Sequence, residues 1–391
     1  MRAAPAGHPE RLPRWLVLSI FALAFAARAG LVLRHPGNFD TALYARFAQL
    51  ARSGANLYGA SDQYKWSPVW AHMLWWIQWM ADRVGLPLHK AVGLLLLLVD
   101  SATAWLVYRI ARQLGRPTWS ATGSAMLFFA NPVSILASGF NVQWDTIAIF
   151  FLLVAVSVGI PPKGVKLSMV AALAASLSIK HITWFHPVLF FRDRRRGYRL
   201  RFQVLLPYAL FLLMLLPYAH AWDGIRKNVF VYRGGFEHYG VCILIERGWL
   251  PGWGATLLLL AAVAVTLVKF RKLEPAQASL RLFLVLLIFL PGIQQYYFVW
   301  PIALGALFPG AGYAVYTVVA ATFLMHSPDG LQLDWRGLPD WQGVWWAAVL
   351  WLLLEIRRDL RNPEAPRPAE VDRRAGIPEN PTGAPIGGSR G

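Results

Sequence analysis

The sequence predicts an all-α, polytopic integral membrane protein with about 12 transmembrane helices, and two facts of composition and one pattern of charge predict it. Of 391 residues, 57% are hydrophobic and only 15% are charged, against roughly 25% charged in an average soluble domain. A water-soluble core has no room for that much apolar surface. Runs of about 17 to 20 apolar residues recur along the chain, each long enough to cross about 30 Å of hydrocarbon as a helix. The basic residues gather in short links between those runs, which is the positive-inside pattern. Alternation of period two does not recur at the spacing of an outer-membrane barrel, so helices must satisfy the buried backbone.

Taken in order, the apolar periods place helices at 15–33, 91–108, 118–136, 145–160, 166–183, 184–192, 200–218, 253–269, 279–297, 300–309, 311–325 and 342–356. The first follows Arg11 and Arg14 and ends near Ala26-Ala27-Arg28-Ala29, which resembles a cleavable signal. Its length and the Arg28 within it favour a retained helix. Arg109, Arg112 and Arg116 follow the second; Arg192, Arg194, Arg195, Arg196, Arg199 and Arg201 crowd a later link, and Lys269, Arg271, Lys272 and Arg281 another. With the N-terminus cytoplasmic, in a plasma (inner) membrane, all of these fall inside and an even number of crossings returns the C-terminus to the same side. The link 326–341, with Asp329, Asp334 and Asp340, then falls outside. The pieces 184–192 and 300–325 are short and hold Pro187, Pro301 and Pro309, so broken or re-entrant helices are expected there, under cover of protein or around a cavity.

Two long segments, 34–90 and 220–252, face the outside in this scheme. The first contains Trp66 to Met80, with Trp70, Trp75, Trp76 and Trp79. It is expected to lie in the outer interface, because a crossing there would carry Arg109, Arg112 and Arg116 to the wrong side. Residues 1–361 form the membrane domain. The proline-rich tail 362–391 has almost no large apolar residue after Val371 and is expected to be disordered and cytoplasmic. No internal repeat is evident, which weighs against a transporter of inverted halves. The formal charge of +18 would point to nucleic acid in a soluble protein, but its placement in membrane links excludes that partner. A single cysteine, Cys242, excludes an internal disulfide and a multi-cysteine metal site.

Few polar residues are placed where chemistry can use them. Asp40, beyond the outer end of the first helix, has the position of a general base for a sugar hydroxyl, or of an N-cap for a helix starting at Thr41. Asp145 opens a nearly pure hydrocarbon helix on the same side, as a cap or as a second acid. Asp100 falls near mid-membrane, where an acid costs about 2.5 to 3.5 kcal/mol, so it must face a hydrogen-bonding or cationic partner. Lys180, His181, Arg233 and His238 are cations outside the positive-inside scheme, suited to a phosphate at headgroup level or to ordinary anionic lipid. The run from Gln294 through Gln295, Tyr296 and Tyr297 to Trp300-Pro301 reads as an interfacial aromatic belt, or as a surface for stacking on a sugar.

These segments together resemble the GT-C superfamily of membrane glycosyltransferases. Asp40 followed by Asn56-Leu57-Tyr58 and Tyr64-Lys65-Trp66-Ser67-Pro68 is similar to the first external loop of bacterial polyprenyl-phosphate-mannose-dependent mannosyltransferases and of the GPI mannosyltransferase catalytic subunit. Asp100 with Tyr108-Arg109-Ile110-Ala111-Arg112, Asn131-Pro132 leading to Asp145, Lys180 with Pro187, Asn228 to Glu237 with its Arg233-Gly234, and Gln295-Tyr296 with Trp300-Pro301 resemble further stretches in the same order. Val142 and Trp144 stand where the family's Gly-Gln-Phe-Asp form has Gly and Phe, and Asp40 has no adjacent second acid.

The resemblance implies transfer of mannose or another hexose, with inversion, from a polyprenyl-phosphate sugar donor to a lipid, glycan or protein acceptor on the external face. It implies Asp40 as catalytic base, Lys180, His181 and Arg233 at the donor phosphate, Asp145 as a second acid, and Tyr64, Trp66, Gln295, Tyr296 and Trp300 as sugar or lipid contacts. A divalent metal is left open. The rival class is a non-catalytic carrier or flippase for the same lipid, which needs outer-face cations but no base.

Overall fold

The computed structural model describes residues 13–34, 36–160, 166–193, 199–231, 239–326 and 341–361. Arg194, Arg195, Arg196, Arg233, His238, the acidic residues of the 326–341 link and the tail 362–391 lie outside the described residues. The chain divides into two compact units, Met1–Glu355 and Ile356–Gly391. The candidate site lies in the first.

The regular secondary structure of the described residues is helical apart from a two-residue antiparallel pair, Arg192–Asp193 with Arg199–Leu200. The longer helices are α1 (Arg14–Arg34), α2 (Phe39–Arg52), α3 (Pro68–Arg83), α4 (Leu88–Gln113), α5 (Thr118–Phe129), α6 (Asp145–Gly159), α7 (Leu167–Ile179), α8 (Leu205–Leu215), α9 (Gly252–Lys269), α10 (Pro275–Phe289), α11 (Ala311–His326) and α12 (Trp341–Arg361). By length and composition α1, α4, α9 and the helical run Phe202–Phe230 can each cross a membrane, and α5 joined to Pro132–Phe140 makes a fifth candidate. Helices of this kind are those of a membrane protein. The apolar helices α6, α7, α10 and α11 are shorter; at about 1.5 Å per residue, α6 reaches only about 22 Å.

Several expected boundaries move. The expected helix 184–192 is instead a tight turn, His181–Thr183, and a four-residue helix, Pro187–Phe190, because Pro187 cannot continue the turn before it. The run expected over 200–218 continues to Phe230. The helix expected at 279–297 begins earlier and stops at Phe289, before Pro291-Gly292; Gln295–Val299 is a separate 3₁₀ turn. Arg281, expected in a cytoplasmic link, is buried inside α10 with Arg281 Nη2 3.6 Å from a Glu355 oxygen. The tryptophan-rich segment forms α3, whose Trp76 and Trp79 are exposed while Trp70 is buried.

The expected helix over 118–136 is bent by 46° between Phe129 and Pro132. Pro132 has no N–H to offer the preceding turn, and Asn131 restarts the helix by accepting the Val133 N–H on its side chain. The Asn131 amide also donates to Tyr313 Oη (2.9 Å) and Thr317 Oγ1 (3.1 Å), pinning the bend to α11.

Beside this bend lies the partner that Asp100 requires. Arg28 Nε is 3.2 Å from Asp100 Oδ2, both side chains fully buried. The guanidinium also donates to the Phe129 carbonyl and to Ser134 Oγ (3.0 Å), and Ser138 Oγ donates to Asp100 at 2.6 Å. The close approach of α1 to α4 needs Gly93, where a Cβ would meet Val32 at 2.6 Å. This network holds the Leu136–Phe140 π-helical turn that leads directly into the site.

Candidate functional site

Three segments distant in sequence meet above that turn. The first is the start of α2, where Asn38, not Asp40, is the N-cap: its side chain accepts the Thr41 N–H while Thr41 Oγ1 accepts the Asn38 N–H. Asp40 sits in the first helical turn with its carboxylate half-buried, so the capping reading of this residue does not hold. The second segment is Asn141–Trp144, and α2 is laced to it residue by residue. Asn38 Nδ2 donates to the Asn141 carbonyl (3.3 Å), Tyr44 Oη donates to the Val142 carbonyl (3.2 Å), and Gln143 Nε2 donates to Asp40 Oδ2 (2.6 Å).

Val142, at the centre of the lacing, has φ +52°. A β-branched residue in the left-handed region carries strain of about 1–3 kcal/mol, of the kind that accumulates at functional sites. Glycine adopts this backbone without penalty.

Trp144 then stacks on Trp70 of α3, ring centroids 4.0 Å apart and planes 4° from parallel. That contact fixes where α6 begins, and hence Asp145. Asp145 is fully buried and makes no side-chain cap. Its Oδ1 accepts from Trp300 Nε1 (2.7 Å) and its Oδ2 from Lys180 Nζ (2.5 Å). Lys180 ends α7 and brings the third segment. Its ammonium lies 4.8 Å from the Tyr296 ring centroid, 4.9 Å from Tyr297 and 5.5 Å from Trp144, an aromatic surround that favours a cation. Burial pulls Lys180 down from the ordinary lysine value, against Asp145 and then Asp40, with Lys65 adding to the lowering. His181 is pushed down to about 4 by burial and by the neighbouring Lys180 charge, so near pH 7 it offers an N–H and no charge.

Two cavities adjoin at Lys180. The first, about 310 Å³, is the more polar of the two and includes Asn38, Asp40, Asn141, Gln143, Gln295 and Tyr296 in its wall. The second, about 370 Å³, is largely apolar, with Ile182, Trp184, Phe211, Leu286 and Leu290 and the His181 ring at its edge. Lys65, Trp66, Lys180 and Tyr297 line both. The strap Lys65–Trp66 is held by Ser67, whose hydroxyl donates to the Ser178 carbonyl just before Lys180.

Most of the residues singled out in the sequence therefore meet here. Asp40, Gln295 and Tyr296 face the polar cavity, Trp300 and His181 the apolar one, and Trp66 and Lys180 stand between. Tyr64 lines neither, being fully buried with its hydroxyl donating to the Ser67 carbonyl (2.5 Å) and accepting the Ala71 N–H (3.1 Å). Arg233 lies outside the described residues. Lys65 and Gln143 join them from stretches in which neither was singled out as a site residue. Among the described residues no three His, Cys, Asp or Glu side chains group to hold a metal ion, and Asp145 is committed to Lys180 and Trp300. No family model matches the chain, and no curated protein matches it.

Proposed function

We propose that this protein is a GT-C-type glycosyltransferase that moves a hexose, mannose being the sugar its segments suggest, from a polyprenyl-phosphate donor to an acceptor hydroxyl at the external face of the membrane. The observation that carries the reading is the pair of adjoining cavities, one richer in polar side chains and one largely apolar, with Lys65 and Lys180 in the wall of both. A lipid-linked sugar has the same three parts in the same order: an apolar chain, an anionic phosphodiester and a polyol.

In this arrangement the chain lies against Ile182, Phe211 and Leu286, the phosphate at the two lysines, and the sugar among Asn38, Gln143 and Gln295. Asp40 takes the proton of the acceptor hydroxyl as its oxygen bonds to the anomeric carbon. The bond from that carbon to the phosphate oxygen breaks, its electron pair leaves with the phosphate, and the configuration inverts. The phosphodiester carries about one negative charge and departs as a monoester with nearly two, so lysines at that oxygen bind the transition state more tightly than the ground state. His181, neutral, adds a hydrogen-bond donor. About twelve crossings with both termini inside belong to the same proposal.

Two measurements test it. Purified protein in proteoliposomes, given a polyprenyl-phosphate hexose and candidate acceptors, is expected to release polyprenyl phosphate and form an α/β-inverted product identified by mass and NMR. Movement of the intact lipid between leaflets without bond cleavage would establish the carrier instead. For orientation, in a Cys242→Ser background a cysteine replacing the exposed Asp62 is expected to react with an impermeant thiol reagent from outside, and one replacing the exposed Lys272 only after permeabilisation. The reverse pattern places the site inside the cell and removes an external acceptor.

A further inference from the structure

A third cavity, about 830 Å³, opens between the start of α1, the end of α4 and the start of α5. It shares no lining residue with the two cavities of the candidate site. Its wall combines Arg14 and Arg112 with Val17, Leu18, Thr118 and Trp119, and includes no carboxylate among the described residues.

The arginines are placed for an anion. Arg112 Nη1 donates to Thr118 Oγ1 (2.8 Å) and to the Arg116 carbonyl (3.2 Å), which fixes its guanidinium against the start of α5 in the groove wall. Arg14, exposed at the first turn of α1, stands on the other side. The twelve-residue α5 begins at Thr118 in the groove wall with no side-chain cap, and uncapped N–H groups at a helix start favour an anion. The depth is marked independently. Trp15 and Trp119, at this same end, are 68% and 46% exposed, and Arg109 lies 5.4 Å from the exposed Trp105 ring. Exposed tryptophans beside arginines are the signature of the headgroup level of a bilayer.

We infer that this groove is a binding seat for an anionic glycerophospholipid of the surrounding leaflet, its phosphate between Arg14 and Arg112 and one acyl chain along Val17, Leu18 and Trp119. The ligand is amphipathic because the wall is: two arginines together with apolar side chains. A zwitterionic headgroup fits less well, since its ammonium would meet the same two positive charges. Residues 1–12 contain Arg2 and Arg11 against Glu10, a net charge of the same sign as the two arginines of the wall.

Native mass spectrometry of the full-length protein, extracted from nanodiscs of equimolar phosphatidylglycerol and phosphatidylcholine, tests the seat. Wild type is expected to retain one phosphatidylglycerol in preference to phosphatidylcholine. The Arg14→Ala/Arg112→Ala variant is expected to lose that preference by about ten- to thirtyfold, the effect of two arginines at a charged surface. A control pair at the other basic link, Lys269→Ala/Arg271→Ala, is expected to keep it, which separates a built seat from general attraction. The inference is overturned by a wild type that shows no preference, as when its own N-terminal residues fill the groove, by unchanged retention in the double variant, or by equal loss in the control.

Discussion

Asp40→Asn is expected to lower sugar transfer by about a hundred- to ten-thousandfold, the usual contribution of a positioned general base, while expression, thermal unfolding and donor affinity stay close to wild type. The geometry makes the substitution a clean one. Asp40 is half-buried in the first turn of α2, where Asn38 and Thr41 supply the capping bonds, so no helix cap is lost. Gln143 Nε2 donates to Asp40 at 2.6 Å, and an asparagine amide in the same place presents an oxygen to the same donor. What the amide lacks is basicity. Donor turnover in purified protein, followed with donor titration by a binding assay, reads the two properties separately. Near-normal turnover would remove Asp40 from the mechanism, and a parallel fall in stability would assign it to the scaffold.

What the sequence revealed, and what it hid, divides along physical lines. Apolar period and length located the long helices because both are local properties, and α1, α4, α6 and α9 begin and end within a few residues of expectation. At Pro187 the break was visible but its outcome was not, since packing decides whether the next residues form a 3₁₀ turn or a new helix; at Pro291-Gly292 apolar period alone carried one helix through 279–297, and the chain stops it at Phe289. Asp100 demanded a partner on energetic grounds alone; that the partner is Arg28, 72 positions away, depends on which faces of α1 and α4 meet.

The candidate site shows the same division. Asp40, Lys180, Gln295 and Tyr296 stood out as polar or amphipathic groups in an apolar chain, and they converge. Lys65 did not stand out, because a lone lysine between Tyr64 and Trp66 in a loop has no periodic signal; only its place between two cavities marks it. Asp145 was legible as a carboxylate at a helix start, and its commitment to Lys180 is a property of the assembled fold.

That commitment yields the second large effect. Lys180 is 4% exposed and Asp145 fully buried, and removing one partner of a buried pair leaves the other charge without compensation, at about 3–5 kcal/mol. Lys180→Gln and Asp145→Asn are each expected to lower thermal stability in detergent by that order. The double variant is expected to regain most of it, because two neutral amides need no counter-ion and asparagine still accepts from Trp300. Donor use should follow a different pattern. A charge-assisted contact to phosphate is worth about 1.5–3 kcal/mol, or roughly ten- to a hundredfold, and the double variant, although folded, has no ammonium to make it.

The single Asp145→Asn variant adds a test by pH. The charged and titratable groups around Lys180 are Asp145, Asp40, Lys65 and His181. Burial lowers the lysine, and Asp145 is the stronger of the two carboxylates that oppose this. With Asp145 neutral, Lys180 loses its proton at a lower pH, so donor use should fall off earlier on the alkaline side than in wild type. A double variant that recovers donor use together with stability would reduce Lys180 to a structural role and move the phosphate to Lys65.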